Sequence, residues 1–182
     1  FYILFKHNHI YIINKMKIAI CGPICSGKTY LSDYLSTQYN LEKYSFGDKV
    51  KDIATDLFTM HYKDRPLLQS ISDKMKEIDP DIWAKYVVRK IKHLDNIIID
   101  DLRFVNEARY LQELGFTIIK LTIDPDTQRN RIMRKYIEHY QIHLDNLHHN
   151  SEQDYNNIKV DYTLESNSHL FDTIDVILMS YS

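Results

Sequence analysis

Gly22-Pro23-Ile24-Cys25-Ser26-Gly27-Lys28-Thr29 stands between a short apolar run, Lys17 to Cys21, and a segment, Thr29 to Gln38, with apolar and aromatic residues at helical spacing. This order predicts a strand, a turn and a helix. The turn fits the pattern G-x-x-x-x-G-K-[ST], which in this context indicates a loop that holds nucleotide phosphates. A nucleotide site is therefore predicted at the carboxyl end of the first strand.

Each residue type in this loop has a part in phosphate binding. The glycines let the backbone wrap closely, so that N–H groups and the helix N-terminus point at the β-phosphate. Lys28 would reach the β- and γ-phosphates, and the Thr29 hydroxyl would bind Mg²⁺. ATP and Mg²⁺ are thus the expected ligands. The predicted nucleotide-binding residues of the loop are Gly22, Cys25, Ser26, Gly27, Lys28 and Thr29.

Composition argues against several classes of protein. The 182 residues are 44% hydrophobic, which suits one compact domain. With 23 Lys and Arg against 25 Asp and Glu, the net charge of -2 argues against a surface that coats a nucleic-acid polymer. No stretch reaches the roughly 18 consecutive apolar residues of a membrane-spanning helix, so no membrane partner is expected. Cys21 and Cys25 form no disulfide framework, and we expect a reducing, cytoplasmic compartment.

Residues 1–15 differ from the rest of the chain. They are apolar and aromatic but are interrupted by Lys and His, and no small-residue cleavage site follows them, which argues against a signal peptide. We expect these residues to be an appendage, with Met16 as the natural start of a single kinase domain over residues 16–182. The alternative is that they add an edge strand to the sheet.

Strands and helices are predicted to alternate after the phosphate-binding loop. Ile97-Ile98-Ile99 is a β-branched run without polar alternation, as in a strand buried on both faces of a parallel sheet. Further strands are predicted at Thr117 to Ile123 and Val160 to Leu164, and helices at Val50 to Phe58, after Asp79 as N-cap, at Phe104 to Leu114, from Thr127 and at Leu170 to Leu178. This alternation predicts an α/β fold with a doubly wound, mostly parallel sheet flanked by helices.

Four further segments match known motifs in order and spacing. They are Tyr44 to Lys51 (YSFGDKVK), Arg65 to Gln69 with Ile78 to Trp83 (RPLLQ and IDPDIW), Asp101 to Glu107 (DLRFVNE) and His149 to Glu152 (HNSE). With the phosphate loop, they resemble the P-loop nucleoside monophosphate kinases. They most closely resemble the deoxynucleoside monophosphate kinase family known from phages and other DNA viruses.

The resemblance implies a P-loop NTPase-type sheet with a small lid segment. The acceptor-binding region would span about residues 45–93, and the lid about residues 126–157. The implied activity is that of a phosphotransferase, which moves the γ-phosphoryl group of ATP to a (deoxy)nucleoside monophosphate and supports deoxynucleotide biosynthesis. The family's tendency to form homodimers is the expected mode of assembly.

An acceptor that is itself a phosphate dianion needs cations, because like charges oppose its approach to the transferred group. Lys51 and Arg103 are the candidates, and the planar fork of Arg103 could grip the acceptor phosphate bidentately. The plain alternatives are that Phe46 belongs to the core and Gln69 to a helix surface. The predicted substrate-binding residues are Phe46, Asp48, Lys51, Arg65, Gln69 and Arg103.

Further side chains are predicted to act on the transferring group or the donor. Asp101 would orient Mg²⁺ through water, with Asp100 as its rival. Arg131 and Arg134 lie at i, i+3 on a predicted helix and would close over the phosphoryl group as part of the lid. The resemblance implies that Asn167 lies in the loop around the donor adenine. The predicted catalytic residues are Lys28, Asp101, Arg103, Arg131 and Arg134.

Other functions stay open on the sequence alone. The acceptor could be a ribonucleotide, dephospho-coenzyme A or phosphomevalonate, and the chain could bind nucleotide without transferring phosphate. A GTPase switch is disfavoured because no N-K-x-D motif follows a later strand. A polar lid surface is favoured over a zinc site for a group of histidines, because no cysteine accompanies them. These histidines are His139, His143, His148 and His149.

Overall fold

The computed structural model describes residues 2–6, 9–13, 15–138, 140–145, 147 and 154–179. The strands in chain order are β1 (Tyr2–Lys6), β2 (His9–Ile13), β3 (Met16–Cys21), β4 (Glu42–Tyr44), β5 (Asn96–Ile99), β6 (Thr117–Thr122) and β7 (Tyr162–Glu165). The helices are α1 (Lys28–Tyr39), α2 (Asp48–Phe58), α3 (Arg65–Ile78), α4 (Ile82–Ile91), α5 (Val105–Glu113), α6 (Pro125–Lys135), α7 (Tyr140–Asp145) and α8 (Leu170–Met179).

Five strands form one parallel sheet in the order β4-β5-β3-β6-β7. The order confirms the predicted doubly wound α/β fold, because β3 lies in the middle and the chain crosses over it to reach both edges. The carboxyl ends of all five strands consequently meet at one edge of the sheet. β1 and β2 pair antiparallel in a two-stranded sheet of their own, with Tyr2 opposite Ile13. The extra edge strand considered for residues 1–15 is not part of the five-stranded sheet.

The two faces of the sheet bury two separate sets of apolar side chains. Successive residues of β3 point to opposite faces, so Ala19 packs with one set and Ile20 with the other. On one face lie apolar residues of α2, α3, α4 and α5, and on the other lie those of α1 and α8. Ile97, Ile98 and Ile99 are completely buried, which confirms the prediction of a strand covered on both faces.

Local sequence explains where two helices begin. The Asp124 carboxylate accepts a hydrogen bond from the Thr127 N–H at 2.8 Å, so α6 begins at Pro125, earlier than Thr127. The prediction that Asp79 is the N-cap of α4 is wrong. Its side chain instead pairs with Lys85 and accepts from the Asp81 N–H, and α4 begins at Ile82.

Within the described residues, no helix combines the length and apolar character that crossing a membrane requires.

Candidate active site

The candidate site is a cleft of about 1240 Å³ above the carboxyl ends of the parallel strands. Its walls come from the β3–α1 loop, α2, the start of α3, the end of β5, α6 and the β7–α8 loop. Ligands of doubly wound sheets bind at this edge, where the crossover direction changes. One cleft therefore brings together predicted residues that lie far apart in the sequence. Those that line it are Cys25, Gly27, Lys28, Thr29, Asp48, Lys51, Arg65, Asp101, Arg103, Arg131 and Asn167.

The phosphate loop adopts backbone conformations that depend on glycine. Gly22 has φ +139° and Gly27 has φ +94°, a region that residues with a Cβ rarely occupy. A Cβ on Gly22 would lie 2.4 Å from the main-chain oxygen of Leu121 on β6. The loop can thus lie directly against the sheet only because no side chain intervenes.

We expect Gly22→Ala to lower the free energy of unfolding by about 3 kcal/mol, because it combines backbone strain with a backbone clash. Gly115→Ala is the matched control, since Gly115 also has a positive φ of +78° but has open space around its Cβ position. That control should lose only about 1 kcal/mol. Denaturant unfolding measures both values. Equal losses for the two variants would contradict the close approach of the loop to β6.

The loop is also braced from outside. The Gln128 amide donates to the Ile24 carbonyl at 2.9 Å. The Arg131 guanidinium donates to the Cys25 carbonyl at 3.2 Å and to Ser166 Oγ at 2.9 Å. These contacts join the loop to α6 and to the β7–α8 loop, so Arg131 lies beside the predicted phosphate site.

Within the loop, Lys28 Nζ donates to the carbonyl oxygens of Gly22 and Pro23, each at 2.7 Å. The ammonium group therefore lies across the loop. Thr29 is exposed at the cleft, as a residue that binds a metal with substrate phosphates must be. Ser26 is fully buried, and its hydroxyl is the one buried side-chain polar atom without a hydrogen-bond partner among the described residues.

The two carboxylates after β5 have different surroundings. Asp101 Oδ1 accepts from the Phe46 N–H at 3.0 Å, and its Oδ2 accepts from Ser45 Oγ at 2.6 Å and from the Gly47 N–H at 2.9 Å. Both oxygens of Asp101 thus hold the turn that leads into α2. Burial raises the pKa of Asp101, although these hydrogen bonds act in the opposite direction.

Asp100 instead faces the first turn of α1. Its Oδ2 accepts from Ser32 Oγ at 3.0 Å, and the same hydroxyl lies 3.1 Å from the main-chain oxygen of Thr29. Lys43 Nζ lies 3.8 Å from this carboxylate but only 2.6 Å from Asp33. Asp100 is therefore next to the residue that is predicted to bind Mg²⁺.

Glu107, which closes the DLRFVNE motif and was given no role in the sequence analysis, holds the turn at Arg103. Its Oε2 accepts from the main-chain N–H groups of Arg103 and Phe104 at 3.1 and 3.2 Å. Burial, with the charge of Asp101, raises its pKa to about 7. Glu107 thereby fixes the turn from which the Arg103 side chain reaches the cleft.

The residues predicted to bind the acceptor bring several cations to the cleft. Lys51 Nζ donates to Asp48 Oδ1 at 2.8 Å on the first turns of α2. Arg65, at the start of α3, donates to the Tyr136 hydroxyl at 2.9 Å and lies 3.1 Å from His143 Nδ1. Arg65 thus connects α3 to α6 and α7, the described part of the predicted lid.

Among the predicted catalytic and substrate-binding residues, three lie outside the cleft lining. Phe46 is 5% exposed and packs in the core with Val50, so it does not present a face to the cleft. Gln69 is on an exposed surface of α3, outside the cleft lining. Arg134 is exposed and also outside the lining, whereas Lys135, one residue later, does line the cleft with Arg131. The cleft-facing pair on α6 is therefore spaced i, i+4 and not i, i+3.

Asn167, predicted to lie near the donor adenine, lines the cleft together with aromatic side chains. Asn167 Oδ1 accepts from the His169 N–H at 2.9 Å, which orders the loop before α8. Tyr30 and Phe171 also line the cleft, with ring centroids 4.9 Å apart. The two rings are tilted by 38° to each other.

Cysteine and histidine carry no metal site in the described residues. Burial raises the pKa of Cys21 to about 11 and also raises that of Cys25, so both are thiols at neutral pH. His143 is buried, and its ring lies tilted against that of Tyr136 at a centroid distance of 3.8 Å. No group of three or more His, Cys, Asp or Glu in the described part of the chain could hold a metal. His139, His148 and the HNSE motif lie outside the described residues.

A family model described as an AAA domain matches residues 18–165, which is most of the chain. A protein of Acanthamoeba polyphaga mimivirus, named "Putative deoxynucleotide monophosphate kinase", is 26% identical over 169 residues. The alignment covers 71% of this chain and 87% of that protein.

Two solved kinases have a similar fold. Shikimate kinase from Acinetobacter baumannii, in complex with shikimate, has a TM-score of 0.59 at 15% identity, over 91% of this chain and 94% of that chain. A gluconokinase from Sinorhizobium meliloti 1021 has a TM-score of 0.55 at 9% identity, over 91% of this chain and 92% of that chain. The fold is thus of the P-loop kinase type.

Proposed function

This chain belongs to the AAA domain family, and we propose that it uses its phosphate loop to transfer the γ-phosphoryl group of ATP to a deoxynucleoside monophosphate. The kinase-type fold supports phosphoryl transfer as the reaction class. The name of the mimivirus relative supports a deoxynucleotide as the acceptor. The DLRFVNE and YSFGDKVK segments, which resemble motifs of such kinases, both contribute side chains to the cleft.

The observation that carries this proposal is that the phosphate loop and the predicted acceptor cations share one cleft. Lys28 lines it from the start of α1, and Lys51 and Arg103 line it from α2 and from the segment after β5. Two anionic groups that react with each other need a site with cations at both ends. A protein that only bound ATP would have no use for the second set of cations.

The chain's own residues would contribute to transfer in distinct ways. Lys28 and the loop N–H groups would hold the β- and γ-phosphates, and Arg131 would stabilise charge that develops on the transferred group. Arg103 would orient the acceptor phosphate for in-line attack. The contact of Arg65 with Tyr136 and His143 would keep water out by holding α3 against the lid.

Oxygen ligands from this cleft suit Mg²⁺, which proteins usually hold through one or two carboxylates together with substrate phosphates. The Thr29 hydroxyl and the Asp100 carboxylate would hold it, with Asp100 acting directly or through water. The ion would neutralise charge on the phosphate oxygens. Asp100 is favoured over Asp101 as the carboxylate for the metal, because both oxygens of Asp101 are engaged by the turn before α2.

Substitution by asparagine separates the two carboxylates. We expect Asp100→Asn to raise the Mg²⁺ concentration for half-maximal activity about tenfold, with little change in unfolding. Asp101→Asn should instead lower the free energy of unfolding by about 1–3 kcal/mol, because an amide nitrogen would meet the donors of Ser45 or Gly47. Magnesium titration of activity and denaturant unfolding give both results. The reverse pattern would restore Asp101 as the metal carboxylate.

A coupled assay of ADP release with the eight common ribo- and deoxyribonucleoside monophosphates tests the acceptor. Activity with a deoxynucleoside monophosphate should exceed the ATPase background. The further acceptors in the screen are dephospho-coenzyme A, phosphomevalonate and shikimate. Stimulation by one of these alone would contradict the nucleotide acceptor, and ATP binding without any acceptor-dependent release would indicate a non-catalytic nucleotide-binding protein.

A further inference from the structure

Lys63 lies in the segment between α2 and α3, immediately before Asp64, which caps α3. Its side chain lines the cleft together with the predicted acceptor cations Lys51 and Arg103. Asp64 is engaged elsewhere, because its Oδ1 accepts from the Leu67 N–H at 3.0 Å. Lys63 thus presents a positive charge to the cleft from the start of α3.

Among the residues that the structure describes, Lys63 makes no hydrogen bond or ion pair. Its neighbours differ, since Lys51 is paired with Asp48 and Arg65 donates to Tyr136. An anion that bound Lys63 would therefore break no existing ion pair of that side chain. The cost of reorganising the site for ligand binding is correspondingly small.

The charges around Lys63 include both predicted acceptor cations. Partial burial lowers the pKa of Lys63, and the positive charges of Arg65, Lys51, Lys135 and Arg103 lower it further. These side chains repel one another while no anion lies between them.

The charges around the phosphate loop overlap with this set only in Arg65 and Lys135. The pKa of Cys25 is raised by burial, and the nearby charges that oppose this effect are those of Lys135, Lys28, Arg131 and Arg65. Lys28 and Arg131 mark the donor phosphates. Lys63 lines the cleft with Lys51 and Arg103, and the charges of these two predicted acceptor cations act on it, whereas those of Lys28 and Arg131 are among the charges that act on Cys25.

We propose that Lys63 is a third cation on the acceptor phosphate, beside Lys51 and Arg103, an inference that rests on the proposed function. A phosphate monoester carries close to two negative charges, so its binding would relieve the repulsion among these side chains. The acceptor class that fits this wall of the cleft is a compact dianion rather than an uncharged hydroxyl compound.

The test compares Lys63→Met, which keeps the apolar stem, and Lys63→Arg with the control Lys49→Met. Lys49 lies on α2, is 3.7 Å from Asp52 and does not line the cleft. The probe is the nucleoside monophosphate that the wild-type protein converts fastest. Steady-state kinetics give kcat and both KM values, calorimetry without ATP gives the Kd of the acceptor, and thermal unfolding verifies the fold.

We expect Lys63→Met to raise the acceptor KM and Kd about tenfold, as for loss of one charge-assisted hydrogen bond, with kcat and the ATP KM within about twofold. Lys63→Arg should recover most of the affinity, and Lys49→Met should match the wild type. An unchanged acceptor KM, or a loss confined to ATP, would overturn the assignment of Lys63 alone. A wild-type protein that converts no nucleoside monophosphate would overturn the proposed function itself, which is a different result.

Discussion

Lys28→Ala is expected to reduce kcat/KM for ATP by about 10²–10³ while the protein remains folded. The ammonium group lies across the phosphate loop, held by the carbonyl oxygens of Gly22 and Pro23. The phosphate-loop pattern predicts that the β- and γ-phosphates bind beside this ammonium group. Its removal takes a positive charge from the transferring group, and no other side chain of the loop can replace that charge.

The measurement is ADP release at saturating acceptor, with thermal unfolding as the test of folding. Lys49→Ala is the matched control, because that lysine lies on α2 outside the cleft lining and pairs with Asp52. A Lys28→Ala protein whose transfer rate stays within about threefold of the wild type would contradict the role of the phosphate loop.

The second large effect is expected for Arg103→Ala, at about 10²–10³ in kcat/KM for the acceptor, or about 3–4 kcal/mol. The main chain of Arg103 is fixed by Glu107, so its guanidinium is directed to the cleft from a rigid turn. ATP affinity should barely change, because Lys28 and the phosphate loop would hold the donor phosphates without Arg103. Acceptor-saturation kinetics and ATP calorimetry measure the two quantities separately.

Two further variants sharpen this prediction. Arg103→Lys should recover only part of the loss, because an ammonium supplies charge without the bidentate fork. Arg109→Ala should behave like the wild type. Arg109 lies on α5, the helix that follows Arg103, but its guanidinium is 3.6 Å from Asp81 and does not line the cleft. A collapse of ATP affinity with normal acceptor kinetics would assign Arg103 to the donor site.

The parallel sheet was predictable where strands are buried and strongly patterned. The Ile97-Ile98-Ile99 run and the glycine pattern of the loop leave few alternatives, because each requires a particular backbone environment. The edge strand β4 was missed, since it has only three residues, Glu42, Lys43 and Tyr44, and its burial is too slight to impose an apolar pattern. Charged residues on an edge strand also protect it from pairing with other chains.

Side-chain direction limited the prediction of the site. Arg131 and Arg134 share a face of an ideal helix, yet the residues of α6 that line the cleft are Arg131 and Lys135. The packing of α6 against the phosphate loop determines which side of the helix faces the cleft. Asp101 was predictable as a strand-end carboxylate, but its hydrogen bonds to the turn before α2 depend on tertiary packing. Lys63 has no marker in the sequence, because it belongs to no motif and only the fold brings it to Arg103.

Transfer of label from ATP that is labelled in its γ-phosphate tests the proposed reaction most directly. The wild-type protein is incubated with a deoxynucleoside monophosphate, and the labelled products are separated by chromatography. Label should appear in the deoxynucleoside diphosphate at the rate at which ADP forms, and it should be almost absent with Lys28→Ala. ADP formation with all of the label in inorganic phosphate would show hydrolysis, and would contradict a kinase that acts on nucleoside monophosphates.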